Sequence, residues 1–192
     1  KRFPGKSLLD ALVHLPLVLP PVVVGYALLV GFGSQGPIGR LLGQFGIELA
    51  FRWTGAALAA GIMGFPLMVR TIRLSIENVD RRLEQAAATL GASPWRRFFT
   101  VTLPLAWPGL VAGAVLGFAK ALGEFGATIT FVSAIPGETR TISSAIYGLM
   151  QVPGGESAIW RLAAVAVAIS LAALLASEWL VRRQRGPDGE EP

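Results

Sequence analysis

Leu162-Ala-Ala-Val-Ala-Val-Ala-Ile-Ser-Leu-Ala-Ala-Leu-Leu-Ala-Ser-Glu-Trp-Leu180 is the stretch on which the fold turns. Its one formal charge is Glu178, and hardly any polar face remains. A membrane-spanning helix needs about 20 mostly apolar residues, and this run meets that need. Three further apolar stretches lie upstream. They run from about Leu8 to Phe32, from Thr54 to Val69, and from Leu103 to Ile135. The first is long enough to span despite Pro16, Pro20 and Pro21, and the second is a little short. The third leaves a remainder, so a broken or re-entrant element is expected around Gly123-Glu124-Phe125-Gly126. Four such stretches predict an all-α, polytopic membrane helix bundle, with one transmembrane domain over residues 1–192.

Composition agrees. Of 192 residues, 53% are hydrophobic and only 15% charged, against about 25% charged in a soluble domain. The mean hydropathy is +0.57. Too little polar surface remains for a water-facing globule, whereas a lipid-facing exterior suits the chain. The absence of cysteine excludes a disulfide framework and a thiolate metal site. The single histidine, His14, excludes a site needing two, and it reads as a polar packing residue. No cleavable signal is expected, because the prolines interrupt the usual apolar core.

The basic residues set an orientation. Lys1, Arg2 and Lys6 precede the first stretch. Arg70, Arg73, Arg81, Arg82, Arg96 and Arg97 lie around the linker between the second and third, and Arg182, Arg183 and Arg185 follow the fourth. Twelve of the 17 basic residues thus share one side if the stretches alternate in direction. Arg40, Arg52, Arg140 and Arg161 occupy the other, and Lys120 lies within a stretch. This positive-inside asymmetry predicts cytoplasmic termini and a cytoplasmic linker, with 33–53 and 136–161 outside. It also accounts for the net charge of +5 without nucleic acid.

Chemistry-bearing motifs are few. Gly5-Lys6-Ser7 ends like a phosphate-binding loop, but it lacks the strand–loop–helix setting that motif needs. No nucleophile–base set, metal cluster or carboxylate pair stands out, so ATP hydrolysis, if coupled to this chain, belongs to a partner. The segment at about 78–102 is more informative. Asp80 is placed to cap a helix. Leu83, Ala86, Ala87 and Leu90 share one helical face. Gly91 is a natural left-handed stop. Ser93 caps a second helix with Pro94 at its first position, which enters the membrane at Leu103-Pro104. Alone, this pattern also reads as a DNA-binding helix-turn-helix. With apolar stretches on both sides, too few residues remain for a DNA-binding domain with its own core.

In that segment Gln85-Ala86-Ala87 is followed by three residues, Gly91, nine residues and Val101-Thr102-Leu103-Pro104. It resembles the signature of type I ABC-importer permeases, acidic-Ala-Ala, three residues, Gly, nine residues, Ile-x-Leu-Pro. Gln85 stands in the acidic slot, with Glu84 one residue earlier, and Val101 replaces Ile. Leu15–Tyr26, Phe65–Arg70, Leu122–Val132 and Ile135–Ile142 are similar to the molybdate permeases. Sulfate permeases are similar through Gly123–Ala127 and diverge afterwards.

The resemblance implies a homodimeric, multi-pass permease of the bacterial inner membrane. It implies two ABC ATPase subunits docked around Glu84, Gln85, Ala86, Ala87, Gly91, Ser93, Pro94, Leu103 and Pro104. An extracytoplasmic binding protein would deliver molybdate or tungstate. No cofactor is expected in this chain, with ATP bound by the partner. In that family one more helix precedes the Phe3–Lys6 region, so a helix missing upstream is expected. Gly91→Trp is expected to block docking by bulk. A sulfate permease and an ion-coupled transporter using Glu124 as a proton relay are the alternatives; the latter usually shows an internal repeat, and none is visible.

Two sets inside the third stretch remain. Gly109, Gly113 and Gly117 recur every four residues and suit close helix packing, within a subunit or between subunits. Lys120 and Glu124 are four apart on one face. Either they pair and prop a gate at Gly123, Phe125 and Gly126, or Lys120 snorkels and Glu124 sits at the outer boundary.

Overall fold

The computed structural model describes residues 4–184. Phe3 and the charges Lys1, Arg2 and Arg185 lie outside the described residues. Every element described is helical: α1 (Lys6–Val18), α2 (Pro21–Phe32), α3 (Pro37–Gly43), α4 (Trp53–Glu77), α5 (Arg81–Thr89), α6 (Pro94–Arg97), α7 (Leu103–Leu122), α8 (Gly126–Val132), α9 (Ile142–Met150) and α10 (Glu156–Gln184). A π-helical turn, Phe98–Thr102, joins α6 to α7. By length and composition three helices can cross a membrane: Trp53–Glu77, Pro94–Leu122 and Glu156–Arg182. At 1.5 Å per residue each exceeds the roughly 30 Å of bilayer hydrocarbon. On α10 Leu171, Leu174, Leu175 and Trp179 are all exposed, the pattern expected of a surface that meets lipid.

The 8–32 stretch is not one helix. α1 and α2 meet at a bend of 115°, and count as a fourth span only if taken together. Pro20 and Pro21 remove two successive backbone N–H donors. The residue before a proline is also driven out of the helical region. Leu19 accordingly has ψ 142° and Pro20 ψ 133°. Single prolines at Pro16, Pro66 and Pro108 stay inside helices. The second stretch is longer than its apolar run: α4 continues through Arg70 and Arg73 to Glu77. The third begins earlier, at Pro94, and breaks after Leu122. The segments 33–53 and 136–161 carry the short helices α3 and α9. Pro37 starts α3, and a capping box between Thr141 and Ser144 starts α9.

The chain divides into two compact units. The first comprises the chain up to Pro66 and Phe118–Ile169. Its core joins Val24 and Leu28 of α2, Ala59 and Met63 of α4, and Ala127, Phe131 and Val132 of α8. Phe32 meets Phe131 edge-on at 6.5 Å between centroids. α2 and α8 approach closely because Gly25 and Gly126 face them: a Cβ on Gly126 would lie 2.8 Å from Pro21 Cβ. The turn after α8 is tied by buried Thr139. Its hydroxyl accepts from the Ile135 N–H at 2.9 Å and lies 3.1 Å from the Val132 carbonyl and 3.2 Å from that of Ser133. Thr139→Val is expected to lower stability by about 2 kcal/mol, because buried backbone groups lose their partner. Thermal unfolding of the purified protein in detergent reads this; an unchanged midpoint would refute it.

The second unit comprises Leu67–Gly117 and the chain from Ser170. Within it α4 and α7 pack through small residues. A Cβ on Gly113 would lie 2.9 Å from Ile72 and 3.1 Å from the Met68 carbonyl, and one on Gly109 would overlap Ser75. The Ser75 hydroxyl donates to the Ala106 carbonyl at 3.1 Å.

Candidate functional site

The 78–102 segment is built from local rules. Asp80 accepts a hydrogen bond from the Arg82 N–H at 2.8 Å and so caps α5. At the other end Gly91 has φ +80°. Its N–H donates to the Ala88 carbonyl at 3.0 Å, and that of Ala92 to the Ala87 carbonyl at 3.1 Å. This pair of bonds is a Schellman stop, which satisfies carbonyls the helix leaves open. Ser93 then accepts from the Arg96 N–H at 3.3 Å, and Pro94 opens α6. Cap, stop and second cap fall on the residues the sequence indicated.

The faces of α5 divide in an instructive way. Glu84 and Ala87 are half-buried, whereas Leu83, Gln85, Ala86, Leu90 and Gly91 are exposed. Leu90 is 88% exposed. On the neighbouring turn Trp95 stacks on Phe99 at 6.3 Å, and both are exposed. Leu83, Leu90, Trp95 and Phe99 thus leave apolar side chains exposed in a segment that also carries Arg81, Arg82 and Arg96. Leu103 and Pro104 start α7 behind it.

Gly91 is a poorer place for a bulky probe than its sequence position suggests. Nothing lies within 4 Å of a Cβ there, but any L-residue is strained at that φ. A tryptophan at Gly91 would disturb the turn as well as the surface. Ala86, exposed within α5, separates the two effects.

The second cluster is the corner after α7. Glu124 is 2% exposed. One carboxylate oxygen accepts from Lys120 Nζ at 3.0 Å, and the other from the Ala127 N–H at 2.9 Å. Glu124 therefore closes the last turn before the break and caps the first turn of α8. Its negative charge at that N-terminus is favoured by the helix dipole. The Ser143 hydroxyl donates to the Leu122 carbonyl at 3.3 Å, and Phe125 packs on Tyr147 at 4.9 Å between centroids. Both contacts bind the corner to α9. Gly126 lies against Pro21, while Gly123 has only carbonyls of its own helix near a Cβ, the closest 3.7 Å away. Spacing left the Lys120–Glu124 pair as one of two readings, and the structure shows the pair; the cap on α8 was not foreseen. The available signal was a carboxylate three residues ahead of a backbone N–H at a glycine-led helix start.

The glycine row resolves locally. Gly109 and Gly113 face α4 of the same chain, and Gly117 is buried. His14 donates from Nδ1 to the Asp10 carbonyl at 2.7 Å, one turn earlier in α1, so its ring is bonded to its own helix.

With this geometry in place, comparison with known proteins is informative. Residues 1–186 match the family described as binding-protein-dependent transport system inner membrane component. The chain is 65% identical over 184 residues to the molybdenum transport system permease protein ModB of Escherichia coli strain K12, covering 95% of this chain and 80% of that protein. It is 58% identical over 191 residues to ModB of Haemophilus influenzae, covering 99% and 83%. The sulfate transport system permease protein CysT of Escherichia coli is 41% identical over 150 residues, covering 78% and 54%.

Proposed function

The chain belongs to the family of binding-protein-dependent transport system inner membrane components, multi-pass proteins of the inner membrane, and on that footing we propose that it is the permease subunit of an ATP-driven molybdate importer. The observation that carries the substrate is the 65% identity to a molybdenum permease across 95% of the chain, against 41% to a sulfate permease across 78%. Tungstate, with the same tetrahedral charge and shape, belongs to the same substrate class.

In this reading two copies enclose the pathway, and two ATPase subunits dock on α5 from the cytoplasm. The termini and the 78–102 segment are cytoplasmic, in keeping with the basic residues gathered there. The bent pair α1–α2, α4, the helix from Pro94 to Leu122, and α10 form the crossings. A binding protein delivers the oxyanion to the side carrying α3 and α9. ATP-driven closure of the ATPases moves α5, and through α6 the helix that leads to the Glu124 corner. The corner and its glycines are the moving part of the gate. The match to a binding-protein-dependent transport family, whose members are not secondary transporters, weighs against the proton-relay alternative.

Two measurements test this. Ala86→Trp places bulk on the exposed face of α5 without backbone strain. It is expected to weaken capture of the ATPase subunits by at least about a hundredfold, near 2.8 kcal/mol, while leaving the permease folded in detergent. Undiminished capture would remove α5 as the docking element. In proteoliposomes holding the full complex, molybdate-loaded binding protein is expected to stimulate ATP hydrolysis and sulfate-loaded protein is not. The reverse preference would reassign the chain to sulfate.

A further inference from the structure

Glu84 is the acidic residue nearest the signature's acidic slot, and its side chain is turned inward. Its carboxylate accepts a hydrogen bond from the hydroxyl of Thr102, 18 residues later. Thr102 is 5% exposed. It ends the π turn Phe98–Thr102, directly before α7. Gln85, in the acidic slot itself, is exposed. The acid that sequence resemblance would aim at the ATPase is thus spent on the chain's own helix.

The π turn explains how the two residues meet. An extra residue in a helix rotates everything beyond it by about 100°, since a residue normally advances 3.6 to the turn. Trp95, upstream of this turn, and Phe99, in its first part, are exposed. At its end Thr102 is buried and faces α5. Such turns are frequent at functional sites. A movement of α5 therefore has a directed point of contact on α7, besides the covalent link through Gly91 and α6. A hydrogen bond to a charged acceptor is stronger than a neutral one and sharply directional. It suits a contact that must carry a push and a pull.

We propose that the Glu84–Thr102 hydrogen bond is the strut that fixes α5 to the head of α7, making Glu84 a positioning residue that acts inward rather than a docking residue that acts on the ATPase. The proposal rests on the reading of α5 as the docking element, but its geometry is testable without any ATPase. Thr102→Val keeps the shape of the side chain and removes the donor, Thr102→Ser keeps the donor, and Glu84→Ala removes the acceptor.

The first readout is hydrogen exchange of α5 amides in the purified full-length permease. Thr102→Val and Glu84→Ala are each expected to speed exchange about tenfold. The double variant is expected to go no further than either alone, and Thr102→Ser to restore the wild-type rate. Additive effects, or no effect of Thr102→Val, would overturn the strut.

The second readout uses the complex with its ATPase and loaded binding protein. Thr102→Val is expected to co-purify with the ATPase normally, yet to lose most of the stimulation of ATP hydrolysis by loaded binding protein, with Thr102→Ser recovering it. Loss of ATPase capture in Glu84→Ala with Thr102→Val unaffected throughout would show that Glu84 points to the ATPase, and the proposal fails. If the wild-type permease captures no ABC ATPase, the transport reading falls, while the exchange data still decide whether the strut exists.

Discussion

Lys120→Met is expected to destabilise the protein by about 3 kcal/mol, and Glu124→Gln by only about 1 kcal/mol, although both break the same ion pair. The asymmetry follows from burial. Glu124 is 2% exposed and Lys120 is 35% exposed. Removing the lysine strands a carboxylate away from water with one remaining bond, to the Ala127 N–H. A buried charge that loses its partner typically costs 3–5 kcal/mol. Removing the negative charge instead leaves an ammonium on a flexible stem that can reach a polar boundary. Glutamine can also still accept from the Ala127 N–H, so the cap on α8 survives. The double variant Lys120→Met with Glu124→Gln is therefore expected to be more stable than Lys120→Met alone. Thermal unfolding in detergent, followed by tryptophan fluorescence, measures all three. Equal losses from the two single variants would mean that Glu124 is hydrated in the folded protein and that its burial does not set the cost. Glu124→Ala, which also removes the cap, is expected to fall below Glu124→Gln by roughly 1 kcal/mol.

What the sequence discloses and what it conceals divide along a physical line. Contacts within one or two helical turns were readable. Asp80, Gly91 and Ser93-Pro94 follow from the unpaired backbone groups at helix ends, which only a few side chains can satisfy. Four-residue spacing made the Lys120–Glu124 pair one of two readings, and burial of Glu124 decided between them. Apolar length located the spans but not their continuity. It treats Pro20-Pro21 as two more nonpolar residues, whereas the backbone registers two missing donors and an extended Leu19. The helices α3 and α9 were passed over because apolar counting ignores short elements, although Pro37 and Thr141-x-x-Ser144 announce them. The Glu84–Thr102 bond was out of reach: its partners are 18 residues apart, and their meeting depends on a π turn with no compositional mark. The close pairing of α2 with α8 was equally hidden, since roughly a hundred residues separate them and only the glycines on the facing surfaces hint at it.

That pairing carries the other large effect. Gly25→Leu is expected to abolish folded protein or to cost more than about 3 kcal/mol, above the usual range for overpacking. A Cβ at Gly25 would lie 2.9 Å from the Ala127 Cα and 2.9 Å from the Thr130 Cβ, with the Ala127 carbonyl also in the way. Two of these three obstacles are backbone atoms of α8, and a helix cannot rotate a main-chain atom aside as it can a side chain. Relief would require α2 and α8 to separate. Separation would open the core formed by Val24, Leu28, Phe131 and Val132 and would pull Gly126 from its seat against Pro21. Because α8 begins at the Glu124 corner, the same displacement would stretch the Ala127 cap. Gly61 supplies the control. It lies in α4 with nothing within 4 Å of a Cβ, so Gly61→Ala is expected to leave stability unchanged or slightly raised, as glycine is a poor helix former. Yield of monodisperse protein in detergent and its unfolding midpoint distinguish the two sites. A well-folded Gly25→Leu protein would mean that α2 and α8 have slack between them and that the glycine is not what sets their separation.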